Sequence, residues 1–383
     1  MEGIHRPRPN AHQAPALENL CNYYHAEPFA RVILAYRDAS KLLSIISTGL
    51  DPDGRFRAAF NVAGTKTGRW SSNNSAFGSG ANLQNIPDEV RRMFVPDPGM
   101  KICNIDLEQA DARGVAAYAY ACSGLDNLWR ACESGDLHTT VSSLLWPEVR
   151  SRQDADRLYY REYTYRDLAK RGGHGTNYLA KARTVAKHLK IPVSVAEDFQ
   201  HKYFTAFPEI PMWHQHTITE LQLTHRLTNL LGRTRTFLSR LDEDKTHRDA
   251  IAHLPQSLTG DYLMTGAISA WRAGLPIQWL CQVHDSIVFQ YPEEYEAETL
   301  QAVAKHLIIE IPVRDRVLVI PHEISVGWNW GKRSEKKGVV TNPLGMQKYR
   351  GKDERVRQAL SSASVLDLPM YSLPPNRANM RGV

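Results

Sequence analysis

The chain has 383 residues, 42% hydrophobic and 23% charged, enough to bury a sizeable core divided among two or three subdomains. No apolar run is long enough to span a bilayer, the first residues lack the apolar core of a secretory leader, and five cysteines without CxxC spacing exclude a disulfide framework or thiolate zinc site. The net charge of +6 is uneven: from Lys332 to Val383 eleven Lys and Arg face four acids, so the body is close to neutral and any basic groove in it is a matter of local arrangement.

Residues 1–16 hold three prolines and read as an unstructured lead. From Leu17 to Ile46 the apolar residues take helical spacing, and Pro28 is expected to divide the helix in two. A turn at Asp51 to Gly54 and a strand from Arg55 to Val62 lead to two polar stretches, TGRWSS (67–72) and ANLQNIP (81–87). Loops so rich in Asn, Gln, Ser and Arg offer donors to a nucleic-acid backbone or to base edges.

In KICNIDLEQADAR, 101–113, the apolar residues Ile102, Cys103 and Ile105 predict a buried strand that delivers Asp106 to its end. A lone aspartate there is more often the cap of the next helix. What overturns that reading is a second segment of the same design, 279–291, where an apolar strand, a His284-Asp285-Ser286 turn and another strand follow one another. Two carboxylates at two strand ends can share a pair of divalent metals.

A helix is predicted over Gly114 to Trp129, and GDLH at 135–138 opens another with Asp136 at its start. In 165–178 Arg166, Lys170, His174 and Tyr178 recur every four residues, which on a helix makes a slowly drifting stripe of two cations and two rings suited to a triphosphate and a stacked base. Gly172, Gly173 and Gly175 in the same helix each cost about 1 kcal/mol against alanine, a cost expected of a helix that hinges or packs closely on a ligand. His214 and His216 lack metal-ligand spacing and read as ordinary polar histidines. A turn at 231–235, a helix from Arg248 to Trp271 and the second acidic hairpin follow, and residues 332–383 form a basic, partly disordered extension.

TGRWSS, ANLQNIP, DLEQADAR, GDLH, the Arg166/Lys170/Tyr178 helix, Arg248 with Gln256, VHDSIVF and SVGWNWG resemble, in this order, the motifs of the family A DNA polymerases. The resemblance covers about residues 36 to 331. It implies an α+β right-hand fold: a thumb remnant in the lead (1–35), palm (36–118), helical fingers (119–247), palm again (248–331) and the basic tail (332–383). It implies templated addition of dNTPs to a primer 3′-hydroxyl with two Mg²⁺ held by Asp106 and Asp285. Lys170 becomes a catalytic cation, and Arg166, His174, Tyr178, Gln109, Asp111 and His138 fall at nucleotide-binding positions. Arg69, Asn82, Gln84, Asn85, Arg248, Gln256 and His284 fall where the family contacts primer-template DNA.

Three positions depart from the pattern. Asp111 stands where Glu is usual and is shorter by one methylene, which bears on rejection of a 2′-hydroxyl. His174 replaces an aromatic ring, and Ser286 stands where Glu commonly follows the second aspartate. Only the last helix of a thumb fits between Leu17 and Ile46, so a second chain supplying thumb or exonuclease is expected, with no membrane partner. A cytoplasmic setting in a bacterial or phage-infected cell follows from the resemblance. The rivals are a single-subunit RNA polymerase and a catalytically idle DNA-binding subunit; NLQNIP and TGRWSS favour the DNA enzyme, and retention of both aspartates with Arg166 and Lys170 favours activity.

Overall fold

The computed structural model describes residues 16–349 apart from 18, 19, 22, 63 and 337; the proline-bearing lead before residue 16 and the tail after Tyr349 lie outside the described residues. The stretch expected from Leu17 to Ile46 is divided: Ala16, Leu17 and Leu20 are helical, a turn follows through Ala26, and helix α1 (Glu27–Ile46) carries Pro28 in its first turn, where the missing N–H is no loss, so the proline starts the second part. Strands β1 (Ala58–Asn61) and β2 (Ser71–Asn74) form a hairpin around the TGRW loop.

Strand β3 (Met100–Leu107) is the centre of the main sheet, with Ile102, Cys103, Ile105 and Leu107 all buried. Helix α2 (Ala110–Ser123) follows directly. Gly124 takes a left-handed backbone at its end, so the single helix expected over 114–129 is two, the second being α3 (Asn127–Glu133). Helices α4 (Leu137–Leu145), α5 (Tyr165–Asn177), α6 (Val193–Ala206) and α7 (Glu209–Thr224) make the inserted helical part. Strands β4 (Arg226–Thr228) and β5 (Thr234–Thr236) return the chain to helix α8 (Asp244–Arg272).

Helix α8 keeps a proline in its interior, a placement that costs roughly 3 kcal/mol in an isolated helix. The reason lies across the interface: a Cβ on Gly114 would sit 3.2 Å from Pro255, so the two helices approach closely where one has no side chain and the other a flat ring. That contact lays α8 along the alanine-rich α2.

Strands β6 (Gln278–Val283), β7 (Ser286–Pro292) and β8 (His322–Gly327) complete the sheet, and β9 (Gln347–Lys348) adds an edge. The order is β9-β8-β3-β7-β6, antiparallel throughout. The basic extension therefore begins later than residue 332: Met346 is buried beside Trp330 in the core cluster, and Lys348 still pairs in the sheet. The described residues up to Lys348 form one compact unit, and of the second, 349–383, only Tyr349 is described. The described cysteines are free thiols, and no described helix is long and apolar enough to cross a membrane.

Candidate active site

Asp106 is the penultimate residue of β3, and Asp285 sits in the two-residue turn between β6 and β7. His284 opens that turn with φ 56, the left-handed backbone that tight hairpins require. The Leu107 N–H donates to the Asp285 carbonyl at 3.1 Å, which ties the end of β3 to the turn and brings the two aspartates together. Burial first, then the charge of Asp285 and of Glu323, pushes Asp106 up to about 6. Burial, with the charge of Asp111, also raises Asp285.

Carboxylates that repel each other, here one half-buried and one exposed, favour a shared cation, and two hard oxygen donors suit Mg²⁺, which keeps water and substrate oxygens among its ligands. Among the described residues no cluster of three or more His, Cys, Asp or Glu is placed to hold a metal.

A cavity of about 660 Å³ opens beside Asp285. It gathers Lys170 and His174 from α5, Tyr178 from the turn that caps its end, Gln109 and Asp111 from the start of α2, and His138 from α4. The capping box at Thr164 and Asp167 fixes the start of α5 and so the phase of its stripe. His174 meets Tyr178 edge-on with ring centroids 4.8 Å apart. Burial, then the charges of Arg166 and Lys170, lowers His138 to about 4, so its ring is neutral at pH 7 and offers a hydrogen bond without charge.

Arg166, one turn before Lys170, donates to the Asp136 carboxylate at 3.1 Å. Asp136 also caps α4, accepting from the Thr139 N–H and hydroxyl, and takes Arg152 at 2.8 Å. Burial opposes its charge, but the bonds from Arg166 and Thr139 outweigh it and hold the carboxyl below its ordinary value.

Asp111 accepts from Arg69 at 2.9 Å and from the Thr259 hydroxyl at 3.4 Å. The Tyr178 hydroxyl is buried close to Asp111 and Gln256 without hydrogen-bond geometry to either; burial and then the Asp111 charge raise it well above the ordinary tyrosine value. Arg69 owes its position to its neighbour. Gly68 lies at φ +76 against the Arg233 guanidinium, where a Cβ would come within 2.5 Å, and Arg233 grips Asp261 of α8 at 2.6 to 2.9 Å.

The other predicted DNA-contacting residues divide. Gln84 donates to the Trp70 carbonyl at 3.0 Å and to Gln282 at 2.8 Å, and Asn82 accepts from the Gln84 N–H, so both amides are engaged within the protein. Asn85, Arg248 and His284 are exposed, and Gln256 is half-buried two turns after Arg248 on α8.

The model for DNA polymerase family A matches residues 7–332. The chain belongs to DNA polymerase family A. Thermostable DNA polymerase I of Thermus aquaticus is 29% identical over 324 residues, which cover 79% of this chain and 36% of that protein. DNA polymerase I of Chloroflexus aurantiacus is 30% identical over 342 residues, 84% of this chain and 34% of that protein. The chain thus spans about a third of these relatives. The polymerase domain of Pol1 from M. smegmatis, solved in complex with DNA primer-template and dNTP, superposes with a TM-score of 0.69 at 25% identity over 86% of this chain and 57% of that one.

Within this family A chain, sequence reasoning missed two groups. Asp136 was legible as a helix start, while its hold on Arg166 joins residues 30 apart. His214, expected to be an ordinary polar histidine, is buried with Nε2 2.8 Å from the Asn177 carbonyl and so braces the end of α5. The glycines of α5 also need another account. A Cβ on Gly172 would lie 2.7 Å from the Phe199 ring and one on Gly173 3.2 Å from Tyr203, so both serve close packing on α6, and Gly173 also lines the cavity.

Proposed function

We propose that this chain is the catalytic core of a DNA-templated DNA polymerase that adds dNTPs to a primer 3′-hydroxyl. The observation that carries the reading is the meeting of Asp106 with Asp285, which lines a cavity faced by Lys170 and His174 of α5 and by Tyr178 at its end. Asp106 and Asp285 would hold two Mg²⁺ ions, which when bound activate the attacking oxygen and neutralise the departing pyrophosphate.

Arg166 would present its planar fork to the triphosphate, its orientation kept by Asp136. Lys170 would give a proton to the departing phosphate, neutral His138 would donate to a phosphate oxygen, and Tyr178 with His174 would flank base and sugar. Asp111, held by Arg69, would stand against a 2′-hydroxyl. Arg69, Arg248, Gln256, His284 and Asn85 would meet primer-template DNA. Primer extension with Mg²⁺ and either dNTPs or rNTPs, beside Asp285→Ala, tests the reading. Incorporation of dNTPs that the substitution abolishes is expected; retained extension by Asp285→Ala sinks the assignment.

We infer also that the chain works with a partner chain that supplies helical thumb structure. Phe29, Val32, Tyr36, Leu43 and Ile46 recur on α1 at spacings of three, four, seven and three residues and are all exposed, while Leu42 and Ile45 anchor the helix to the core. An apolar stripe turned away from the body is a surface for another helix. Without it the chain is expected to extend primers distributively. Long products made in one encounter in the presence of a trap DNA, by this chain alone, would show that no partner is needed.

A further inference from the structure

The family match ends at residue 332, yet β9 beyond it lies in the sheet that carries Asp106. Its register sets Lys348 opposite Ser325 of β8 and so on the same sheet face as Glu323, two residues away. The Lys348 ammonium reaches Glu323 Oε2 at 2.7 Å. Glu323 stands directly opposite Asp106, whose partner on the other side is Ser286. Glu323, Asp106 and Ser286 therefore form one row across the sheet, their Cβ atoms roughly 5 Å apart from strand to strand. Ser286 is buried and donates its hydroxyl to the Val283 carbonyl at 2.9 Å. The charge beside Asp106 in this row comes from Glu323.

Like charges directly opposite in a sheet destabilise it, and a purely structural sheet avoids them. A cation nearby turns that cost into a gain. Resting on the assignment of Asp106 and Asp285 as metal ligands, we propose that Glu323 is a positioning residue of the polymerase centre, an outer carboxylate that steadies the hydrated cation at Asp106 through water, its head held by Lys348. Glu323 acts at one remove because it does not complete a three-ligand group with the two aspartates. Outer groups of this kind tune metal affinity strongly. The acid absent at Ser286 is thus restored on the opposite flank of Asp106, and residues beyond the family match take part in the centre.

The test is Mn²⁺ binding to the full chain without DNA or nucleotide, followed by electron paramagnetic resonance of the free ion, beside thermal melts. Glu323→Gln should weaken Mn²⁺ binding by about threefold to tenfold without lowering the melting temperature. Lys348→Met, which leaves Glu323 without its counter-charge, should tighten binding by about twofold or more while lowering the melting temperature slightly. The double variant should bind Mn²⁺ as Glu323→Gln does. If both single variants only lower stability and leave Mn²⁺ binding unchanged, or if both weaken it, the pair is a structural clamp and the proposal is overturned. Asp106→Asn and Asp285→Asn separate the two layers. Unchanged Mn²⁺ binding in them refutes the metal assignment itself; loss in them with an unaffected Glu323→Gln refutes only the role of Glu323.

Discussion

Asp106 is the charged end of a strand whose other residues are mostly buried, and the folded protein raises its pKa from the ordinary carboxylate value to about 6. Without a divalent metal, the ionised group therefore costs stability above pH 6. As pH falls through 6 the folded state takes up the proton before the unfolded chain does, and the cost is relieved, fully so below the unfolded value near 4. Asp106 keeps contact with solvent, so the screened cost is about 1 kcal/mol. Asp106→Asn should abolish incorporation yet melt higher than the native chain in EDTA at pH 7.5, the gap narrowing as pH falls through 6 and closing below about pH 4. A variant that melts at or below the native temperature at pH 7.5 would contradict the repulsion argument. A second test at this scale concerns the sugar. Asp111 is a methylene shorter than the usual Glu and is drawn to Arg69, which in the proposed role would leave more room at a 2′-hydroxyl. Asp111→Glu should raise the ratio of dNTP to rNTP kcat/KM several-fold; an equal or lower ratio would count against this role.

At the scale of elements, α5 separates what the sequence shows from what only packing reveals. Its stripe was legible because its members keep a four-residue spacing, three on the helix and Tyr178 at its C-cap, and the acidic strand ends were legible because apolar runs stop at Asp106 and before His284. The purpose of Gly172 and Gly173 was not, since Phe199 and Tyr203 lie on another helix and no local pattern announces them. Likewise β9 has two residues and no apolar run, and its one signal, Met346, reads alone as any buried methionine. Packing and hinging predict different variants. Gly172→Ala would push a Cβ to 2.7 Å from a buried ring, and overpacking of that kind costs roughly 1–3 kcal/mol, more than alanine's helix preference returns. Gly175→Ala meets Val185 at an ordinary 3.5 Å and should stabilise by up to about 1 kcal/mol. Denaturant melts of the two variants should differ in sign. A Gly172→Ala protein of undiminished stability and impaired turnover would restore the hinge.

For the whole molecule, the basic end of the chain joins two things that charge counting cannot tell apart. Residues 332–349 carry five Lys and Arg against one acid, and residues 350–383 six against three, so both look like phosphate-binding extensions. The first stretch, however, belongs to the fold: Met346 fills the core beside Trp330, Lys348 holds Glu323, and β9 covers the open edge of β8. Truncation after Lys332 removes a buried side chain as well as charge and should cost stability by about 2–5 kcal/mol, as loss of a buried methionine does. Truncation after Tyr349 should leave the melting temperature unchanged within about a degree. If residues 350–383 grip phosphates, that second variant should still bind primer-template DNA more weakly at low salt, with the slope of log K against log salt reduced by roughly two to three, in proportion to its net charge of +3. Affinity measured from low to physiological salt for the two truncations decides the matter. An unchanged slope after truncation at Tyr349 would mean that the last 34 residues do not bind the DNA backbone, and a native melting temperature after truncation at Lys332 would mean that β9 is not part of the working palm.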